Sequence, residues 1–359
     1  MAGDELGLGG VPEAVEKHLA AFFAQRREAV EAIGQPVADA VTFLQQFVLG
    51  GGKRVRPRFG WAGFVGGGGL ERGEEDPDAV MRAVSSLELI QACALVHDDI
   101  IDASDTRRGN PTVHRAVEAE HERDGLRGDA ATFGTNAAIL LGDLALAWAE
   151  DMWRYSGVSL AALERAAEPW VGMRTEVIGG QLLDIMLESR GSESRELAQR
   201  VNRFKTAAYT IERPLQLGAA IAGADDRTIA AFRGYGRDIG IAFQLRDDLL
   251  GVFGDPAVTG KPAGDDLREG KRTVLYATAL ELLEGTGEAD ELRAGIGTAT
   301  NFAQLERMAD IIRRSGAEDE VERQITELTQ SGLAHLEGLA QPVVDALTAL
   351  ARTATDRRK

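Results

Sequence analysis

Apolar residues recur at steps of three and four along almost the whole chain, and that spacing constrains the fold more than any single motif does. It runs through VEKHLAAFFAQRREAVEAI from Val15, AVMRAVSSLELIQACALVHDDIID from Ala79, GTNAAILLGDLALAWAEDMW from Gly134 and TIAAFRGYGRDIGIAFQLRDDLLGVF from Thr228. Alternation of the strand type is nearly absent. The breaks are short and rich in Gly, Pro, Asp and Ser: FVGGGGLERGEEDPD from Phe64, ERDGLRGDAAT from Glu122, SRGSES from Ser189 and GDPAVTGKPAGDDLREG from Gly254. A chain of 359 residues is long for one domain. Yet no stretch reads as an interdomain linker and no short repeat appears. The expectation is a single all-α domain over residues 1–359, with flexible tails at about 1–10 and 353–359, and no βαβ sheet.

Composition narrows the function classes. A net charge of −17 argues against a general basic field for nucleic acid, so an anionic partner has to be captured by a few local cations. The single cysteine, Cys93, excludes an internal disulfide and sits in an apolar run that reads as core. No uninterrupted apolar run reaches the roughly 18 residues of a membrane span, and the opening MAGDELGLGG lacks the cationic start of a secretory signal. The expectation is a soluble cytoplasmic protein without a membrane span.

Charge of both signs is concentrated in LVHDDIIDASDTRRGNPTVH, Leu95 to His114, directly after the apolar run LELIQACALV. On a helix, Asp98 and Asp102 stand at i and i+4 and share a face. Two carboxylates that close repel, and a divalent cation removes the conflict. Hard oxygen donors with room for water and phosphate suit Mg²⁺. FQLRDDLLGVFGD, Phe243 to Asp255, ends another apolar helix with an Asp pair. If Asp247 faces Asp98 and Asp102 across a cavity, the two groups can clamp metal around one diphosphate. In GGKRVRP, Lys53, Arg54 and Arg56 stand beside a glycine pair, and Arg107 and Arg108 follow the first acid group. Each cluster alone reads as a solvated helix end; together the cations suggest an anion site beside a metal site.

These residues resemble the trans-isoprenyl diphosphate synthases, or polyprenyl synthetases, the head-to-tail prenyltransferases. The resemblance is carried in order by GGKRVRP, DDIIDASDTRRGNPTVH, GGQLLD, KTA, FQLRDDLLGVFGD and GKPAGDDLREGKRT. It implies an isoprenoid-synthase bundle of about a dozen helices around a deep central cavity, usually as a homodimer. By that likeness Asp98, Asp99, Asp102, Asp247 and Asp248 form the metal motifs, holding about three Mg²⁺ ions, with Mn²⁺ as an alternative. Asp98, Asp102, Lys205 and Asp247 are the implied catalytic set. Arg107, Lys205, Thr206, Gln244, Lys261 and Lys271 match the allylic diphosphate site; Lys53, Arg56, Gln91 and Arg108 match the isopentenyl diphosphate site. Gln181 and Asp184 match a pair that lines the cavity, with a structural role as the alternative.

The reaction implied joins isopentenyl diphosphate to an allylic diphosphate. Ionisation of the allylic diphosphate is followed by attack of the isopentenyl double bond and loss of a proton to the released diphosphate, so no histidine is needed. His97 reads as a support beside Asp98. One position departs from the family: Gly251 stands where the second motif carries a third aspartate, and Asp266 is a candidate replacement. That loss also raises a class I terpene cyclase as a rival, which Lys53, Arg56, Arg108 and Gln91 argue against. For a phosphohydrolase of the His-Asp type the remaining histidine ligands have no source, since only His18 lies upstream of His97, and a non-catalytic partner subunit would be expected to lose its acids. Leu87, Ile90, Cys93 and Ala94, upstream of Asp98, are the candidate chain-length wall. The small Cys93 and Ala94 open the C15 stop, and Ile90 and Leu87 are candidate floors for a C20 product, geranylgeranyl diphosphate, with C25 or longer as the main alternative.

Overall fold

The computed structural model describes residues 7–107, 109–255, 263–299 and 301–355. Among these, regular structure is helical apart from two antiparallel strands of two residues, Thr106–Arg107 and Asn110–Pro111. Backbone contacts group the chain into two compact units, Met1–Pro169 with Pro214–Asp225, and Trp170–Arg213 with Asp226–Lys359. The sequence predicts one domain because no linker marks this division. One crossing falls inside the helix Ala167–Ser189 and another at the first residue of the helix Arg213–Ala222.

In the first unit the organising element is the helix Pro77–Ile101. Asp76 caps it by accepting from Asp78 N at 3.0 Å, and Pro77 supplies the preset φ of a first helical residue. It is apolar around most of its circumference, as a helix surrounded by others must be. The helix Ala130–Arg154 lies along it, and Val113–Arg123 lies on that helix in turn. Phe22, Phe23 and Trp148 meet edge to face at 5.8–6.3 Å, closing the helix Val11–Glu31 onto Ala130–Arg154.

The second unit is built on the 28-residue helix Asp226–Phe253, which packs against the π-helical segment Asn202–Glu212 and the helix Ala317–Ala334. Leu245, Leu249 and Val252 anchor its last turns in a core shared with Leu267, Val274, Leu275 and Leu280. Tyr235 Oη donates to Leu347 O at 2.7 Å and Arg246 Nε to Thr355 O at 2.9 Å, tying down the helix Gln341–Thr355. Two of the expected breaks hold short helices, Gly69–Arg72 and Asp265–Glu269.

Two helices bear on the membrane expectation without overturning it, since core helices meet the same criterion. Pro77–Ile101 and Ala130–Arg154 are each long and apolar enough to cross a membrane by length and composition, since a few charges do not lower the mean hydropathy of a 25-residue helix far. The first is 78% buried inside the protein over its most apolar stretch and the second only 28%.

Candidate active site

Asp98 and Asp102 lie on the last turn of Pro77–Ile101, with Asp102 N bonded to Asp98 O at 2.8 Å, so the i, i+4 relation predicted from spacing holds. The helix stops there because Ala103 turns to φ 50°. Acidic side chains at a helix C-terminus meet the negative end of the helix dipole, an arrangement that a cation stabilises. Asp99, between them, is fully buried, and burial pushes its carboxyl up from the usual range. Its Oδ1 accepts from Arg107 at 2.7 Å (Nε) and 2.6 Å (Nη2), while Arg107 Nη2 stands 3.6 Å from Asp98 Oδ2. The short strand pair brings Arg107 back over the helix end. Arg107, expected on the allylic diphosphate, is thus held inside the acid group by Asp99.

In the second unit Asp247 is half-buried and Asp248 is buried, both within the last two turns of their helix. Burial pushes Asp248 up to about 7, while hydrogen bonds from Gln244 Nε2 at 2.8 Å and Asn202 Nδ2 at 3.2 Å work against that shift. Both carboxylate oxygens of Asp248 therefore have protein donors, which gives it a supporting place beside Asp247. Gln244, expected on the allylic diphosphate, is one of those donors. Lys205 donates to Asp184 Oδ2 at 2.6 Å, so Asp184 takes the alternative reading of a positioning group. Thr206 follows Lys205 half-buried in the π-helical segment, and Gln181 is half-buried one turn before Asp184. Lys271 Nζ lies 2.9 Å from Glu269 Oε2 and 3.9 Å from Asp266 Oδ1.

The departure at Gly251 has a geometric reason. A Cβ there would lie 2.0 Å from Asp266 Oδ2, so the space a third aspartate would occupy on the helix is filled by Asp266 from the next short helix. Asp266 also helps raise Asp248 through its charge.

In the first unit Lys53 is exposed on a loop, Arg56 is buried in the first turn of the helix Val55–Gly66, and Gln91 is half-buried in Pro77–Ile101. Arg54 is not part of an anion site, because its guanidinium is buried and donates to Glu88 Oε2 at 2.6 Å and to Val48 O at 2.9 Å. Arg108 and Lys261 lie outside the described residues.

The wall residues separate into two faces. At about 100° per residue, Ala94, Ile90 and Leu87 stand roughly 40°, 80° and 20° from Asp98, whereas Cys93 is about 140° away. Cys93 is buried with Sγ 3.8 Å from His97 Nδ1, on the side where His97 Nε2 reaches Ile139 O at 3.1 Å. Gly142 makes room for that ring, since a Cβ there would lie 2.2 Å from His97 Nε2. Cys93 thus faces His97 and not the side of Asp98, and burial pushes its thiol up to about 12. His97 supports the helix pair. Exposure along the Asp98 face ends between Ala94, which is half-buried, and Ile90 at 2% and Leu87 at 0%.

Sequence reasoning missed Asn202, Glu269 and Glu88. Asn202 stands one turn before the KTA stretch and was the most accessible of the three; Glu88 and Glu269 read as ordinary helix charges.

Among the described residues no three His, Cys, Asp or Glu side chains converge into a closed cage. Separate carboxylates at helix ends fit a hard cation that keeps water and phosphate oxygens in its shell, as Mg²⁺ does. The sequence model of the polyprenyl synthetase family matches residues 39–313. This chain belongs to that family. The polyprenyl synthetase fold is shared at a TM-score of 0.95 and 56% identity with a crystal structure of geranylgeranyl pyrophosphate synthase from Corynebacterium glutamicum complexed with isoprenyl diphosphate and magnesium, covering 98% of this chain and 99% of that one. A geranylfarnesyl diphosphate synthase from Natronomonas pharaonis is 30% identical over 340 residues, 90% of this chain and 93% of its own. A geranylgeranyl diphosphate synthase from Mycobacterium tuberculosis is 33% identical over 269 residues, 74% and 71% of the two chains. The polyprenyl synthetases are prenyl-transferring diphosphate synthases, and this chain is such an enzyme.

Proposed function

We propose that this polyprenyl synthetase joins isopentenyl diphosphate to an allylic diphosphate and releases geranylgeranyl diphosphate. The observation that carries the reading is the 56% identity, over nearly the full length of both chains, to the Corynebacterium enzyme of that name. By the family likeness Asp98 and Asp102 would hold Mg²⁺, and so would Asp247, with Asp99 and Asp248 as their buried supports. Bound Mg²⁺ supplies charge neutralisation for the departing diphosphate. By the same likeness Arg107, Lys205 and Lys271 would each contact the allylic diphosphate; each now meets a carboxylate of its own neighbourhood. Lys261 and Arg108 keep their implied places at the allylic and isopentenyl diphosphates.

The allylic C–O bond breaks with its electron pair leaving on the diphosphate. The C3–C4 double bond of isopentenyl diphosphate, oriented by Lys53, Arg56 and Gln91, then forms the new carbon–carbon bond. A proton is lost from the adjacent carbon to the released diphosphate. Ala94 leaves the wall open near Asp98, and the buried Ile90 and Leu87, roughly 12 and 16 Å along the helix, form the floor. A C25 product is the second reading, favoured by the geranylfarnesyl synthases of Natronomonas and, at 36% identity over 283 residues, Aeropyrum pernix.

The helix Ala130–Arg154 leaves Phe133, Ile139 and Leu140 exposed, with Leu140 at 68%. An apolar face of this kind fits a second copy of the chain, as the family's homodimers imply. The acidic composition and one buried thiol fit a cytoplasmic enzyme.

Diphosphate release from an allylic substrate, measured with and without isopentenyl diphosphate and with EDTA, tests the reaction type. The synthase reading expects release to require both the second substrate and the metal. Release without isopentenyl diphosphate would make the protein a cyclase, and no release with both would make it a non-catalytic subunit.

A further inference from the structure

Arg54 is one of two non-glycine residues with positive φ among the described residues, at φ 48° and ψ 46°, and it follows Gly51 and Gly52 at φ 90° and 135°. A side chain with a Cβ disfavours this left-handed region, so something outside the loop holds it there. The holder is visible. Arg54 is 5% exposed, and its guanidinium spans two helices, donating to Glu88 of Pro77–Ile101 and to the carbonyl of Val48 near the end of Gln35–Leu49. Glu88 is 6% exposed and uses one oxygen only, for Oε1 has no hydrogen-bond partner. A buried ion pair is costly to desolvate and poor as a mere stabiliser, so its retention next to a strained backbone points to a placement role.

What it places is specific. Lys53 and Arg56 flank Arg54 in sequence, and Gln91 is three residues beyond Glu88, on the same side of its helix. The pair therefore locks Lys53 on the loop and Arg56 in the first turn of the helix Val55–Gly66 to the helix that carries Gln91. It also cancels the Glu88 charge, which would otherwise repel a bound diphosphate. Arg54 is itself buried and turned toward Glu88 and Val48, away from solvent.

We infer that the Arg54–Glu88 pair is a positioning device that sets the affinity for isopentenyl diphosphate without touching it. The inference rests on Lys53, Arg56 and Gln91 forming that subsite. Steady-state kinetics of Glu88→Gln, with each substrate varied in turn, is the primary test. The expected result is a KM for isopentenyl diphosphate raised roughly tenfold or more, with the allylic KM and kcat within about twofold.

A second variant, Arg54→Met with Glu88→Leu, replaces the pair by apolar groups that restore packing. It should melt near the wild-type temperature yet keep the raised KM for isopentenyl diphosphate. Return of that KM to the wild-type value in the folded double variant, or equal rises in both substrates' KM in either variant, overturns the inference. Arg56→Ala separates the two ideas: if it leaves the KM for isopentenyl diphosphate unchanged, the subsite itself is misassigned, whatever Glu88→Gln does.

Discussion

Asp98 and Asp248 each belong to an Asp-Asp pair, yet their surroundings give them different work. Asp98 is partly open at a helix end, whereas Asp248 is buried with donors on both oxygens. Asp98→Asn should lower kcat by about 10²- to 10³-fold, the usual loss when a group acting on developing charge is removed. Asp248→Asn should cost roughly tenfold, because it disturbs only the orientation of its neighbour. Turnover measured at saturating substrate checks both; equal losses would remove the distinction. Gly251 is a second residue-scale test. Gly251→Asp restores the family's third acid in sequence but drives a side chain into Asp266, so it should destabilise the fold by about 1–3 kcal/mol and lower activity. Adding Asp266→Ser should recover melting temperature, read by differential scanning fluorimetry. A single variant with unchanged melting temperature contradicts the exchange of the two positions.

At the scale of the element, the helix Pro77–Ile101 carries metal motif and product wall together. Ala94→Phe should shorten the product to C15 by closing the face that leads to Ile90, whereas Cys93→Phe should disturb stability without that shortening, since Cys93 faces His97. Chromatography of the prenyl alcohols from each variant distinguishes them. The i, i+4 aspartates and the helix holding them were legible because a 3.6-residue period fixes which side chains share a face. What meets Cys93 was not, because the period turns its side chain about 140° from Asp98 but does not say that His97 meets it there. The π-helical segment Asn202–Glu212 was also hidden: its wider turn depends on neighbours, and the pattern around KTA looks like any helix. For the same reason the partners of Arg107, Lys205 and Arg54 were unreadable, since a cation's sequence context gives its charge and not the carboxylate it meets.

For the whole molecule, the all-α class followed from periodicity alone, and the family match bears out the resemblance that the motifs carried. The grouping into two units left no trace in composition, because two of its three crossings fall within helices and the third in a three-residue connection, Gly223 to Asp225. Leu140→Glu, placed on the exposed apolar face of Ala130–Arg154, should shift the protein from dimer to monomer in sedimentation velocity; a monomeric wild type would leave that face without its proposed occupant. The central claim concerns the product. Purified protein incubated with Mg²⁺, labelled isopentenyl diphosphate and farnesyl diphosphate should accumulate a C20 chain and stop there. Continued elongation to C25 or beyond, or no incorporation of the label, would contradict the account.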